Sequence, residues 1–124
     1  MREKEVEQKL VKMVKSFGGI CPKFVSPGFD GMPDRLILLP NGKFAFAELK
    51  APGEKPRPLQ AARHRMLRKL GFKVYVIDGT EQIGGVIHEI QTTGLPSQSE
   101  HAKHHAELNW FIKELEKMEG GDAE

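Results

Sequence analysis

Asp34 follows Pro33 at the mouth of one apolar run, and Glu48 and Lys50 close the next. Residues two apart on a β-strand point to the same face, so Glu48 and Lys50 project together. Asp34, at the start of the neighbouring strand, can converge on them. Two carboxylates and an ammonium at strand ends suit the hydrolysis of phosphodiesters. That reaction needs an activated water, neutralisation of the charge developing on phosphorus, and help for the leaving oxygen. A hard cation such as Mg²⁺ can supply all three and prefers carboxylate, carbonyl and water oxygens. Asp34 and Glu48 are the candidate ligands, with the Leu49 carbonyl as a third. Lys50 would orient the water or stabilise the developing charge.

These groups meet only if the surrounding elements bring them together. Asn41-Gly42 between the two apolar runs is a strong hairpin signal. A two-residue turn there would set Asp34 opposite Leu49, on the wrong face. A three-residue turn or a bulge would set it opposite Glu48 or Lys50. The chemistry therefore predicts the shifted register, or an Asp34 that has already left the ladder.

Before the hairpin, Val6, Leu10, Met13, Val14 and Phe17 recur at helical spacing and predict a helix from residue 3 to about 17, ended by Gly18-Gly19. Ile20 to Val25 reads as a short strand, and Ser26 to Gly31 as a Pro- and Gly-rich loop. After the hairpin and a second breaker-rich loop, Pro58 opens a helix to about Leu70. Its expected inward residues are Leu59, Ala62, Met66, Leu67 and Leu70. Lys73 to Asp78 reads as a strand, and Thr80 caps a helix to about Ile90. Ser97 to Glu100 has the form of a capping box for a last helix to about Met118, striped by Leu108, Phe111, Ile112, Leu115 and Met118. The order predicts an α/β fold, a small mixed sheet flanked by helices. Residues 1–92 form the expected core, and 93–124 a C-terminal helical extension of the same domain.

A chain of 124 residues, 39% hydrophobic and 29% charged, suits one globular domain. No apolar run approaches the roughly 18–20 residues that span a bilayer, and the charged N-terminus leads into no signal core. No membrane partner is expected. With a single Cys21 there is no intrachain disulfide, which fits a cytoplasmic, reducing compartment. Net charge is only +2, but residues 50–73 carry eight basic side chains against Glu54 alone. A basic block beside an acidic site is expected of a protein that binds a polyanion through a metal. Lys55, Arg57, Arg63, Arg65, Arg68 and Lys69 are the candidate DNA contacts; a merely solvated helix face is the alternative.

Pro33-Asp34 followed by Glu48-Leu49-Lys50 resembles the signature of the PD-(D/E)xK nuclease superfamily. The wider stretch is similar to the virus-type replication-repair nuclease domain, VRR-NUC. The likeness rests on Lys23 to Gly28, Gly31 to Arg35, Phe46 to Gly53, Pro58-Leu59-Gln60 and Gly71 to Val76, within about residues 2–90. It implies a restriction-endonuclease-like core and a Mg²⁺- or Mn²⁺-dependent DNA nuclease. Asp34 and Glu48 would be metal ligands, Lys50 catalytic and Gln60 a supporting polar residue. The family also places an acid on the first helix. Glu7 fits that place, with Glu3 the competitor on the same reasoning. Arg57 stands where a capping Ser or Thr is expected. Stand-alone domains of this type resemble Holliday-junction resolvases, which act as homodimers on branched DNA.

Two other function classes fit the same fold: a DNA-binding module without catalysis, and an endonuclease that cuts one sequence. His101, His104 and His105 have spacings that zinc could bridge, yet lack a clearly placed further ligand and read as a polar face.

Overall fold

The computed structural model describes residues 2–92, Trp110 and residues 112–118. The chain divides into two units, Met1–Thr93 and Gly94–Glu124. In the first, a helix α1 (Glu3–Ser16) precedes a hairpin of β1 (Arg35–Leu39) and β2 (Lys43–Leu49). Helix α2 (Pro58–Lys69), strand β3 (Val74–Ile77) and helix α3 (Ile83–Thr92) follow. In the second unit, residues 112–118 are helical, with Ile112, Leu115 and Met118 exposed. The Ser97 capping box, Leu108, Phe111 and the three histidines at 101, 104 and 105 lie outside the described residues.

The sheet order is β1-β2-β3, with β1 antiparallel and β3 parallel to β2. Alternation along β2 separates two apolar layers. Ala45, Ala47 and Leu49 face a core made with Val6, Leu10 and Val14 of α1 and Ile83, Ile87 and Ile90 of α3. Phe46 faces the other side, where it packs with Leu67 of α2, Val74, Phe24 and Phe44. The rings of Phe24, Phe44, Phe46 and Phe72 meet edge-on, with centroids 4.9–6.1 Å apart. Glu48 continues the Phe44–Phe46 series onto the α2 face.

The hairpin takes the shifted register. Leu39 pairs with Lys43 and Arg35 with Ala47, leaving Pro40-Asn41-Gly42 as a three-residue turn. Asn41 (φ 67°) and Gly42 (φ 71°) occupy the left-handed region that this connection requires. The next position in the ladder sets Asp34 across from Glu48.

Three expectations need correction. The stretch Ile20 to Val25 is not a regular strand but two isolated bridges, Ile20 with Leu38 and Lys23 with Arg35. Pro22 is the reason: Leu36 N–H donates to its carbonyl, but Pro22 has no N–H to return. On α2, Leu59 and Leu70 are exposed rather than inward, and the buried face is Gln60, His64 and Leu67. The helix placed at Thr80 begins as a 3-10 turn, Thr80–Gln82, with Gly79 rather than Thr80 as the N-cap.

Candidate active site

The loop before Asp34 is fixed against the start of α2. Gly31 sits at φ +89°, and a Cβ there would lie 2.8 Å from Leu59 Cγ, so only glycine allows the approach. Arg63 stacks over the Phe29 ring at 3.9 Å and donates from Nε to the Asp30 carbonyl at 2.8 Å. Pro33 is fully buried. The backbone thus reaches Asp34 with little freedom left.

Asp34 then ends the ladder with its side chain. Its Oδ2 accepts the Leu49 N–H at 3.0 Å, a bond that the backbone of β1 would otherwise supply. Its own carbonyl accepts the Phe24 N–H at 2.7 Å. Glu48 is 1% exposed. Burial first, then the Asp34 hydrogen bond and charge, with a smaller push from Glu3, raise its pKa from 4.5 to about 8, against the opposing charge of Lys50. A carboxyl buried this deeply beside a second acid holds its proton to higher pH, and a cation would favour its ionised form. Lys50 follows the strand, half-buried, with its N–H on the Ile77 carbonyl at 3.0 Å.

The first-helix acids take different places. Both Glu3 and Glu7 line a cleft with Lys23, Phe24, Val25, Asp34 and Arg35. Glu7 Oε1 is committed to Arg35 Nη2 at 2.5 Å, and Arg35 Nη1 holds the Cys21 carbonyl at 2.8 Å. That pair ties α1 to β1 and to the bridged segment. Glu3 makes no such ion pair among the described residues, and its charge is the first-helix charge that reaches Glu48.

Gln60 is buried at the first turn of α2, its Oε1 accepting the Arg57 N–H at 2.9 Å. This is half of a capping box: arginine has no acceptor with which to complete it. Arg57 is therefore the N-cap by backbone alone, and its exposed guanidinium is left free of the cap. One turn on, His64 is 2% exposed with Nε2 3.4 Å from Glu48 Oε1. Burial, then the charge of Arg68, lower its pKa, so the ring is held neutral. Sequence reasoning missed His64, although its position four residues after Gln60 puts both on one helix face.

The basic residues divide into two sets. Arg63 and Arg68 are bonded into the fold, the latter through Nη2 to the Val74 carbonyl at 2.8 Å. Lys55, Arg57, Arg65 and Lys69 are exposed. Among the described residues no group of three or more His, Cys, Asp or Glu side chains is clustered for metal binding, and no helix is long and apolar enough to cross a membrane.

A mixed sheet between helices, with paired acids and a lysine where two strands end, defines a restriction-endonuclease-like nuclease fold. The comparisons agree. No protein-family model matches the chain. A protein named "Putative nuclease p44" from Acyrthosiphon pisum secondary endosymbiont phage 1 is 53% identical over 81 residues, 65% of this chain and 87% of that protein. A solved structure described as a VRR_NUC domain matches with a TM-score of 0.66 at 32% identity, over 69% of this chain and 94% of that one. The chain belongs to the VRR-NUC nuclease family.

Proposed function

We propose that this nuclease is a divalent-metal-dependent DNA endonuclease that cuts branched DNA, such as a four-way junction, as a homodimer. The carrying observation is the buried Glu48 across the ladder from Asp34, whose carboxyl bonds the N–H of the next residue, Leu49; burial and Asp34 raise the Glu48 pKa to about 8. A carboxyl kept dry beside a second acid, at a cost in stability, has little use in a protein that only binds DNA. It suits a site completed by a cation.

The donor set fits Mg²⁺ or Mn²⁺. Two carboxylates and a carbonyl leave room for the several waters that Mg²⁺ retains. The Leu49 carbonyl is a reasonable third donor, because the register continued one step would oppose it to Pro33, which has no N–H to offer. Glu7 is occupied by Arg35, so Glu3 is the first-helix acid we assign toward the metal, with Glu7 bracing the cleft wall.

When bound, the cation would neutralise the phosphate and lower the pKa of an attacking water. The chain's own residues do the rest. Asp34 and Glu48 fix the place of attack, and Lys50 offers an ammonium to the developing charge on the phosphate. Gln60 holds the start of α2 against the site. Exposed Lys55, Arg57, Arg65 and Lys69 would track the phosphate backbone, with Arg63 and Arg68 contributing charge while holding the fold. A two-fold dimer would present two such centres to a two-fold junction.

The test is a panel of four-way, flap and linear DNA incubated with purified protein in Mg²⁺ and in chelator. Metal-dependent nicking of the four-way substrate, lost in Asp34→Asn and Lys50→Ala, is expected. No cleavage of any substrate, with DNA affinity unchanged in Lys50→Ala, would sink the enzyme reading. Cleavage of linear duplex at a single sequence would sink the junction reading.

A further inference from the structure

We propose that His64 is the positioning residue of this site, its Nε2–H holding one oxygen of Glu48 so that the other is presented to the metal. The inference rests on the metal reading above and adds to it the group that aims the ligand.

The geometry carries it. His64 Nε2 lies 3.4 Å from Glu48 Oε1, and both side chains are almost wholly buried, at 2% and 1% exposed. Among the described residues His64 is the histidine that meets Glu48, and once Glu48 is ionised its oxygen can only accept, so Nε2 must carry the proton. Packing alone does not call for an imidazole there, since the neighbouring α2 position that meets the sheet, Leu67, sits in a purely apolar cluster with Phe46 and Val74. The helix that carries His64 is itself pinned to the sheet by Arg68 Nη2 on the Val74 carbonyl and to the Asp34 loop by Arg63 on the Asp30 carbonyl. A neutral imidazole donates one N–H and leaves the carboxylate its full charge for a cation. Partners of this kind orient a carboxylate ligand that would otherwise rotate about its last torsion. As a metal ligand itself His64 is poorly placed, since it lies on the buried face of α2 with Nε2 turned to the Glu48 carboxyl.

Titration calorimetry of the full chain with Mn²⁺ tests this, using wild type, Glu48→Gln, His64→Phe, His64→Asn and His64→Gln, each checked by melting in chelator. Glutamine places an N–H near the imidazole Nε2 position, whereas asparagine falls short of it. We expect Glu48→Gln to lose binding, His64→Phe and His64→Asn to bind about 10- to 100-fold more weakly, and His64→Gln to stay close to wild type. A purely structural histidine would lower the melting temperature and leave Mn²⁺ affinity of the folded protein unmoved. Wild-type affinity in His64→Phe, or in His64→Asn if the former does not fold, overturns the proposal. Equal weakening in His64→Gln and His64→Asn also overturns it, because shape rather than the N–H would then matter. If wild type binds no Mn²⁺, or Glu48→Gln binds like wild type, the metal reading itself fails, an outcome distinct from failure of His64 alone.

Discussion

The N–H of Leu49 donates to Oδ2 of Asp34 at 3.0 Å, so a side chain closes the β1–β2 ladder in place of backbone. Pro33, the next residue toward the loop, has no N–H to donate across the sheet, so the regular ladder stops before it, and the Asp34 carboxyl supplies the acceptor that Leu49 N–H takes. Asp34 therefore has a structural duty beside the chemical one proposed for it, and the two can be separated by mutation. Asp34→Asn keeps an acceptor for Leu49 while removing the charge; Asp34→Ala leaves the N–H without one. Both should abolish cleavage, but only the alanine variant should lose about 1–3 kcal/mol of stability. Urea denaturation of the two variants in chelator checks this, and equal stability would contradict it.

The raised pKa of Glu48 fixes the sign of a pH dependence. A carboxyl protonated more readily in the folded state contributes stability below its unfolded pKa and loses it as pH rises through the folded value. Metal-free protein should therefore weaken as pH climbs from 4.5 toward about 8, by on the order of a few kcal/mol. Glu48→Gln should flatten that slope and be the more stable protein at its alkaline end. Melting curves in chelator across this range decide it; an unchanged slope in Glu48→Gln would assign the effect elsewhere.

Saturating Mg²⁺ or Mn²⁺ should reverse the alkaline loss. A ligand present at a hundred times its dissociation constant stabilises by about 2.7 kcal/mol, and here it would also expel the proton from Glu48. Calorimetry in buffers of different ionisation enthalpy should show proton release near neutral pH in wild type and none in Glu48→Gln. Metal binding without proton release would remove Glu48 from the ligand set.

The two sets of basic residues should behave differently. Arg65→Ala with Lys69→Ala should weaken binding to all DNA sequences alike and reduce the salt slope by about one per charge, with stability within about 0.5 kcal/mol. Arg63→Ala and Arg68→Ala should also destabilise by about 1–2 kcal/mol, since each removes a bond to a backbone carbonyl. Filter binding at several salt concentrations, paired with melts, separates the effects.

Gly31→Ala should destabilise the Asp34 loop without touching a charge. The positive φ and the 2.8 Å approach to Leu59 leave no room for a methyl group, and a cost of about 1–3 kcal/mol is expected. Greater protease sensitivity of the loop in Gly31→Ala is the readout; an unchanged digestion pattern would count against the clamp.

Much of this was legible in the sequence because the chemistry constrained the geometry. Requiring Asp34 to face Glu48 selected the register of a turn that propensity alone would have read as two residues long. Helix α1 and its buried Val6, Leu10 and Val14 followed from periodicity. What escaped was governed by tertiary packing. One proline reduced the stretch at Ile20 to two bridges, a loss that local β-propensity does not register. On α2, Leu70 is exposed and Leu59 half-exposed against the Gly31 loop, while the helix buries Gln60 and His64, the latter beside Glu48 of the sheet. A buried acid reverses the usual rule for reading an amphipathic face, and nothing on the helix itself announces the reversal. Spacing on α1 favoured Glu7 over Glu3 as the first-helix acid, but could not show that Arg35, on strand β1, takes the Glu7 carboxylate.

The turn at Pro40–Gly42 lies at the far end of the hairpin from the acids, and five paired positions stand between them. Yet its backbone decides which side chain stands across from Asp34. A change at Asn41 or Gly42 that favoured a two-residue turn would bring Leu49 opposite Asp34 and press an acid into the dry layer beneath α1 and α3. Exposed turns are ordinarily where sequence drifts most freely. Here parity sets a limit: a change that slid the pairing by one residue would take Asp34 off the face of Glu48, so the turn would bear on the proposed site through residues it never touches.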